Sequence, residues 1–475
     1  MERNHYSDLP SANTALLPRV NLLTMMRLGL FQLGLGMMSV LLFGLLNRVL
    51  IKELGVPATI ASAVLAVTLF VAPTRVWFGQ QSDTRPILGM HRTGYVLCGA
   101  IGLAVTAFIA VQVMWQVGAS LESAGWSFST YAWTGLLAAL FGIYGIAVGC
   151  SSTPFATLLV DVTEEEERSR IVGVDWAMLI GGTIIGAITI GIMLRQVGTN
   201  PSLEVLQSSI NRLFLVVPWI VVGLALVATW GVEKKYSRFS VRTQGHDTEQ
   251  QITLGRAWKI LTASRQTRFF FTFLLAMTLG LFLQDAVLEP YGGEVFNMPA
   301  GSTATLNAFW GIGTLIGILG AGFFLAPRLG KQKTAALGCQ GVVLTLTLVI
   351  AAGFTANPKF LQMALLIFGL ASGVTTTGAV TLMLDLTAAE TAGTFIGAWG
   401  LSQAIARGLA TVIGGATLDI GKRLTSDLVT AYSLVFLLQA VCMIAAIFLL
   451  RRVSVQEFKM NAKDAIAAVI ASDSD

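Results

Sequence analysis

Charged residues are scarce in this chain. Only 12% of its 475 residues are Asp, Glu, Lys or Arg, against about 25% in a soluble domain. With 54% apolar residues, that shortage excludes the string of soluble domains its length would otherwise suggest. Histidine is nearly missing, and His5, His91 and His246 all fall outside the apolar runs, so no membrane-embedded histidine is available to ligate a cofactor metal. The four cysteines, Cys98, Cys150, Cys339 and Cys442, lie inside apolar runs without metal-ligand spacing and read as small core residues. There is no phosphate-binding loop, which argues against ATP hydrolysis, and no nucleophile or metal constellation, which argues against an enzyme. Residues 1–19 are polar, lack an apolar centre and do not read as a signal peptide. The formal charge of +5 does not point to nucleic acid, because the basic residues fall in loops between apolar runs.

Those runs, each about 20 residues long, predict a polytopic helical membrane protein. Twelve spans are expected, at about 28–50, 57–78, 93–117, 130–156, 171–194 and 211–230, then 268–289, 303–326, 334–355, 360–384, 392–416 and 430–450. The expected organisation is a tail over 1–27, a six-helix half over 28–230, a polar linker over 231–267, a second half over 268–451 and a tail over 452–475. Within the linker, Ile252 to Leu261 reads as a short interfacial helix. Loops on the side of both termini carry most of the 31 Lys and Arg residues, which places the termini and linker in the cytoplasm. The halves repeat: LLVDVTEEEERSRIVG from Leu158 aligns with LMLDLTAAETAGTFIG from Leu382, pairing Asp161 with Asp385 and Thr163 with Thr387. A second alignment, Leu54 to Pro57 with Phe296 to Pro299, sets Asn47 opposite Glu289. Two parallel six-helix halves describe the major facilitator architecture, whose substrate site lies between the halves.

Leu279 to Met298, LGLFLQDAVLEPYGGEVFNM, holds the foremost functional candidates. It begins as an apolar helix, carries Asp285 and Glu289, and is expected to break at Pro290 and the Gly292-Gly293 pair. Carboxylates four residues apart differ by about 40° around a helix and share a face. Because an acid at the bilayer centre costs about 2.5–3.5 kcal/mol, such residues face an interior or a cavity. Arg407, mid-run in LSQAIARGLATVIGG, is expected inside, with Asp285 or Glu289 across the halves as partner; the alternative is a lipid-facing arginine near the headgroups. Arg75 either snorkels to the interface or pairs with Asp161 or Asp83. Gln32, Gly36, Val40, Phe43 and Asn47 share one face of the first helix. Gln32 and Asn47 either line a cavity or bond a neighbouring helix. The acid run Glu164 to Glu167 reads as a solvated helix start.

The loop GQQSDTRPILGMHR, Gly79 to Arg92, has Gly-x-x-x-Asp followed by the basic residues Arg85 and Arg92. It resembles the signature loop of the major facilitator superfamily. Gly79 is expected to permit a tight helix exit, and Asp83 to cap a helix or pair with an arginine. The expected role is a conformational latch; the plain alternative is a turn with positive-inside charges. The second half keeps a worn copy at Gly322 to Lys333, with Leu325 in the Asp83 position. The fourth helix has no arginine and the fifth no Gly-Pro pair, so familiar proton-antiporter features of the superfamily are missing.

Leu28 to Pro57, Ala72 to Tyr95 and Leu283 to Met298 together resemble the signatures of the PucC/LhaA, or bacteriochlorophyll delivery, family, and the stretch from Asp161 is similar to cyanobacterial members. Asn297 stands where glycine is expected, and Gln80 where histidine is frequent. The resemblance implies a protein that handles chlorophyll or bacteriochlorophyll during assembly of light-harvesting or photosystem complexes in a photosynthetic membrane. Its partners would be lipid, the tetrapyrrole, and antenna or photosystem subunits or pigment-synthesis enzymes. The residues it carries over are Arg75, Gly79, Asp83, Arg92, Glu289, Pro290, Tyr291, Gly292 and Gly293. A hard magnesium accepts oxygen donors, and Glu289, Asp285, Asn47 or Gln32 offer them. The alternative function is a secondary transporter of a small solute, coupled to protons through Asp285 or Glu289.

Overall fold

In lipid the backbone of such apolar runs is satisfied internally only as helix or closed barrel. A computed structural model describes residues 20–163, 165–198, 202–237, 265–385 and 392–454. Twelve long helices form among them. In the first half these are α1 (Leu22–Glu53), α2 (Ala58–Thr84), α3 (Thr93–Ala124), α4 (Phe128–Val162), α5 (Glu165–Met193) and α6 (Leu203–Thr229). In the second half they are α7 (Arg265–Phe282, continued to Glu294), α8 (Ala300–Leu329), α9 (Lys331–Thr355), α10 (Pro358–Asp385), α11 (Ala392–Leu424) and α12 (Leu428–Leu450). Eleven of the helices are long and apolar enough to cross a membrane, and the chain is an integral membrane protein. The twelfth, α11, has the length, at 33 residues, but carries Gln403, Arg407 and Asp419. The expected interfacial helix at 252–261, Glu164 and Thr387 lie outside the described residues.

The halves meet along two seams, α2 on α11 and α5 on α8. Small residues allow the approach: Gly415 of α11 lies against the Ala58 carbonyl and Ser62 of α2, where no Cβ fits. The end of the bundle where α1 starts and α12 stops is called here the terminal end, and the opposite one the far end.

Four helices depart from regular geometry where the sequence carries its motifs, α8 through a wide i→i+5 stretch over Ala321–Leu325. α1 winds in wide i→i+5 turns over Val40–Leu46 and Val49–Glu53. α2 turns at 71–73 and restarts at Thr74, so Gly79 sits inside a helix and not at its exit, contrary to expectation. The exit comes after Thr84, through a turn with Leu88 and Gly89 at φ of 53° and 73°. α7 breaks earlier than expected, at a tight turn over Leu283–Ala286, and Pro290 lies within the following helix, Leu288–Glu294. Pro290 is its third residue, in the first turn, where an N–H has no helical partner and a proline is tolerated. Asn297 follows at φ 52°, in the left-handed region that asparagine tolerates better than most non-glycine residues.

Candidate functional site: a cavity between the halves

The break in α7 turns the peptide chain so that Asp285 and Glu289 reach different neighbours. Both line a cavity of about 210 Å³ walled by α1 and α5 from the first half and α7, α8, α10 and α11 from the second. Its apolar lining includes the aromatic residues Phe43, Trp176, Phe282 and Trp310, beside aliphatic ones such as Ile180, Leu281 and Ile318. Asp285 Oδ2 accepts from Arg407 Nε and Nη2, at 3.0 and 2.7 Å. This ion pair is among those expected, although it lies within the second half, between α7 and α11, and not across the halves. The guanidinium is held against two rings, 4.5 Å from Phe282 and 5.6 Å from Phe43, an arrangement that favours a cation.

Glu289 is nearly sealed, 2% exposed. Its Oε1 accepts from Asn307 Nδ2 of α8 at 2.7 Å, while Oε2 has no partner. Gly44 of α1 lies against this carboxylate and leaves no room for a Cβ. Glycine there lets the first half close over an acid of the second. The cavity also holds an unpaired buried donor, Trp310 Nε1.

The other expected site residues lie outside the cavity. Asn47 is buried in the seam one turn from Phe43, and its Nδ2 donates to the Ala286 carbonyl at 2.6 Å. Gln32 donates to Asp175 of α5 at 2.8 Å, the neighbouring-helix role. Tyr291 is fully buried among Phe296, Tyr432 and Phe436, and its hydroxyl donates to the Val349 carbonyl. It anchors the core. Of the oxygen donors offered for a pigment magnesium, Gln32 and Asn47 therefore lie outside the cavity, and Arg407 engages Asp285 through Oδ2 alone, which leaves Glu289 and Asp285 Oδ1.

A second cluster sits at the terminal end. Arg92 is buried, and its guanidinium donates to Asp161 Oδ2 at 2.9 Å and Ser82 Oγ at 2.6 Å and forms an ion pair with Asp83 Oδ1 at 2.6 Å. Glu233, after α6, caps the start of α3 by accepting from the backbone N–H groups of His91, Arg92 and Thr93. Asp83 and Asp161 thus share Arg92 and not Arg75, whose stem packs by Gly149 of α4 and which forms no ion pair among the described residues. The Arg85 carbonyl accepts from the Tyr95 hydroxyl at 2.8 Å. The cluster ties α2, α3, α4 and the end of α6 together.

The far end holds residues that sequence alone did not single out. By sequence Arg48 groups with the loop charges, because it stands at the end of its apolar run. It is 1% exposed and donates across the halves to Thr303 Oγ1 at 2.6 Å and the Met298 carbonyl at 3.0 Å. Lys52 donates to the Gly293 carbonyl, and Asp419 of α11 caps α2 by accepting from the Ala58 and Thr59 N–H groups. The apolar residues Val49 to Ile51 that follow Arg48 were the available signal that the run continues past it; Asp419 gave none.

A family model described as PUCC protein matches residues 45–458. The chain belongs to the PUCC family. It is 30% identical over 450 residues to Protein PucC of Rhodobacter capsulatus, covering 92% of this chain and 94% of that protein. It is also 30% identical over 436 residues to the bacteriochlorophyll synthase 44.5 kDa chain of the same species, covering 89% and 94%. Among solved structures, the nucleoside transporter NupG matches with a TM-score of 0.66 at 13% identity, over 91% of this chain and 99% of that one. A bacterial homologue of the iron transporter ferroportin matches with a TM-score of 0.61 at 15% identity, over 90% and 100%. At such identities the likeness speaks for the fold alone, and that fold is the major facilitator one of two six-helix halves.

Proposed function

We propose that this PUCC-family chain handles chlorophyll or bacteriochlorophyll in a photosynthetic membrane, delivering pigment to light-harvesting or photosystem complexes or assisting their assembly. The observation that carries the reading is the family match over 45–458, with relatives whose names include PucC and a bacteriochlorophyll synthase chain. The cavity chemistry agrees with it: aromatic walls suit a flat apolar ring, and a few fixed polar groups suit its orientation. The chain acts as a binding protein and not as an enzyme, and its clients are antenna or photosystem subunits or pigment-synthesis enzymes. The bias of Lys and Arg toward one set of loops supports a cytoplasmic side for the termini and the linker.

The test is an absorption spectrum of the mildly solubilised protein with its co-purifying proteins identified. Bound tetrapyrrole, or retention of added pigment, is the expected result; purified protein that neither carries nor retains pigment overturns the reading. One observation favours a second reading, a proton-coupled transporter of a small solute: two carboxylates, Asp285 and Glu289, line the cavity between the halves. Solute uptake into proteoliposomes driven by a pH gradient, abolished by Glu289→Gln, would establish it in place of the first.

A further inference from the structure

The cavity and the expected magnesium ligand do not fit one another. A magnesium–oxygen bond is about 2.0–2.1 Å long, and the metal lies at the centre of its ring. Bringing it to Glu289 Oε2 or Asp285 Oδ1, both on the cavity wall, would put the whole macrocycle inside the cavity. The space is about 210 Å³, below the roughly 300–1,000 Å³ of ordinary small-molecule pockets. A ring edge fits where a ring does not.

Two side chains that line the cavity, Arg407 and Trp310, carry N–H donors without a partner among the described residues. Arg407 uses Nε and Nη2 on Asp285. Its Nη1 makes no hydrogen bond among the described residues, and the side chain stays 32% exposed. Phe282, Phe43 and Asp285 fix the plane of the guanidinium, so its free N–H groups keep one direction. Trp310 Nε1 is buried without a partner, a state that costs free energy unless a ligand supplies an acceptor. Two donors among aromatic side chains call for an acceptor on a flat apolar group. Chlorins carry such acceptors, keto and ester carbonyl oxygens, on the rim of the ring.

Resting on the pigment reading above, we propose that the cavity grips a tetrapyrrole by its carbonyl-bearing edge, through Arg407 and Trp310, and not by its metal. Asp285 is the positioning residue for Arg407. Phe43 comes from the first half and Phe282 and Trp310 from the second, so an edge held there is contacted by both halves.

The test compares chlorophyll a with its magnesium-free form, pheophytin a, each added to the full-length protein in mild detergent. Retained pigment is read by absorbance after size exclusion. Wild-type protein is expected to retain both forms with affinities within about threefold. Arg407→Gln combined with Asp285→Asn, which leaves no buried carboxylate unpaired, is expected to weaken retention of both about 10- to 100-fold. Trp310→Phe, which removes one N–H and keeps the ring, is expected to weaken it about fivefold, and it decides the matter if the double variant does not elute as a folded peak. Retention of chlorophyll a at least tenfold better than pheophytin a overturns the inference while leaving the pigment reading intact. So does unchanged retention in both folded variants. Wild-type protein that retains neither form overturns the pigment reading and the inference with it.

Discussion

The two ends of the bundle use their buried charges differently. At the far end the bonds of Arg48, Lys52 and Asp419 run from one half to the other. At the terminal end the bonds of Arg92 to Asp83, Asp161 and Ser82 stay within the first half. Among the described residues, every side-chain hydrogen bond between the halves lies at the level of the broken α7 or beyond it toward the far end. These groups have separate tasks. Arg92 ties helix ends of the first half to one another, and the far-end residues tie the two halves together. In the second half Leu325 stands in the Asp83 position.

The largest effect expected from breaking this arrangement is on stability. Arg92→Leu leaves Asp161, whose side chain is 5% exposed, as a buried charge without its arginine, and removing one partner of such a pair costs about 3–5 kcal/mol. The thermal unfolding midpoint in detergent should fall clearly, and Asp161→Asn in the same chain should restore part of the loss. An unchanged midpoint in the single variant would show that Arg92 holds nothing together. Arg48→Gln acts instead on how the halves meet. Losing its charged hydrogen bonds to Thr303 and Met298 weakens closure by about 1.5–3 kcal/mol, roughly a 10- to 100-fold change in the ratio of closed to open far ends. Spin labels on Phe128 and Leu424, both exposed at that end, read the change as a longer distance population. If Arg92→Leu opened the far end as much as Arg48→Gln, the division between the two ends would be wrong.

How much of this was legible in the sequence depends on how far apart the partners lie. The twelve helices, their pairing into halves and the inward turn of Arg407 all follow from apolar runs and from the need of a membrane-embedded charge for a partner. The Asp285–Arg407 pair was therefore within reach, spanning 122 positions. The site of the α7 break was not. Pro290 and two glycines are the visible breakers, yet a proline in the first turn starts a helix as readily as it ends one, and the bend falls at 283–287 instead. Asp419 capping α2 across 361 positions leaves no trace in composition or period. Gln32 and Asn47 are polar positions on an apolar helix, and the sequence does not tell a cavity from a neighbouring helix at such a position. Both turned out to bond neighbouring helices.

Two smaller effects sharpen the comparison. Asp419→Asn keeps one acceptor for the α2 cap but loses the charge favoured at a helix N-terminus, a change of about 0.3–1 kcal/mol. The far-end label distance should shift in the same direction as for Arg48→Gln and by roughly a tenth as much in population ratio. Asp83→Asn should do least. Asp83 is 53% exposed, so its bond to Arg92 is a surface pair of about 0–1 kcal/mol, and Arg92 keeps Asp161. The unfolding midpoint should barely move and the far-end labels should not respond, while a label pair across the terminal end should report any latch the loop provides. A far-end response to Asp83→Asn as large as that to Asp419→Asn would mean that the terminal cluster senses the opposite seam, and that the two ends are coupled through the first half as a rigid lever.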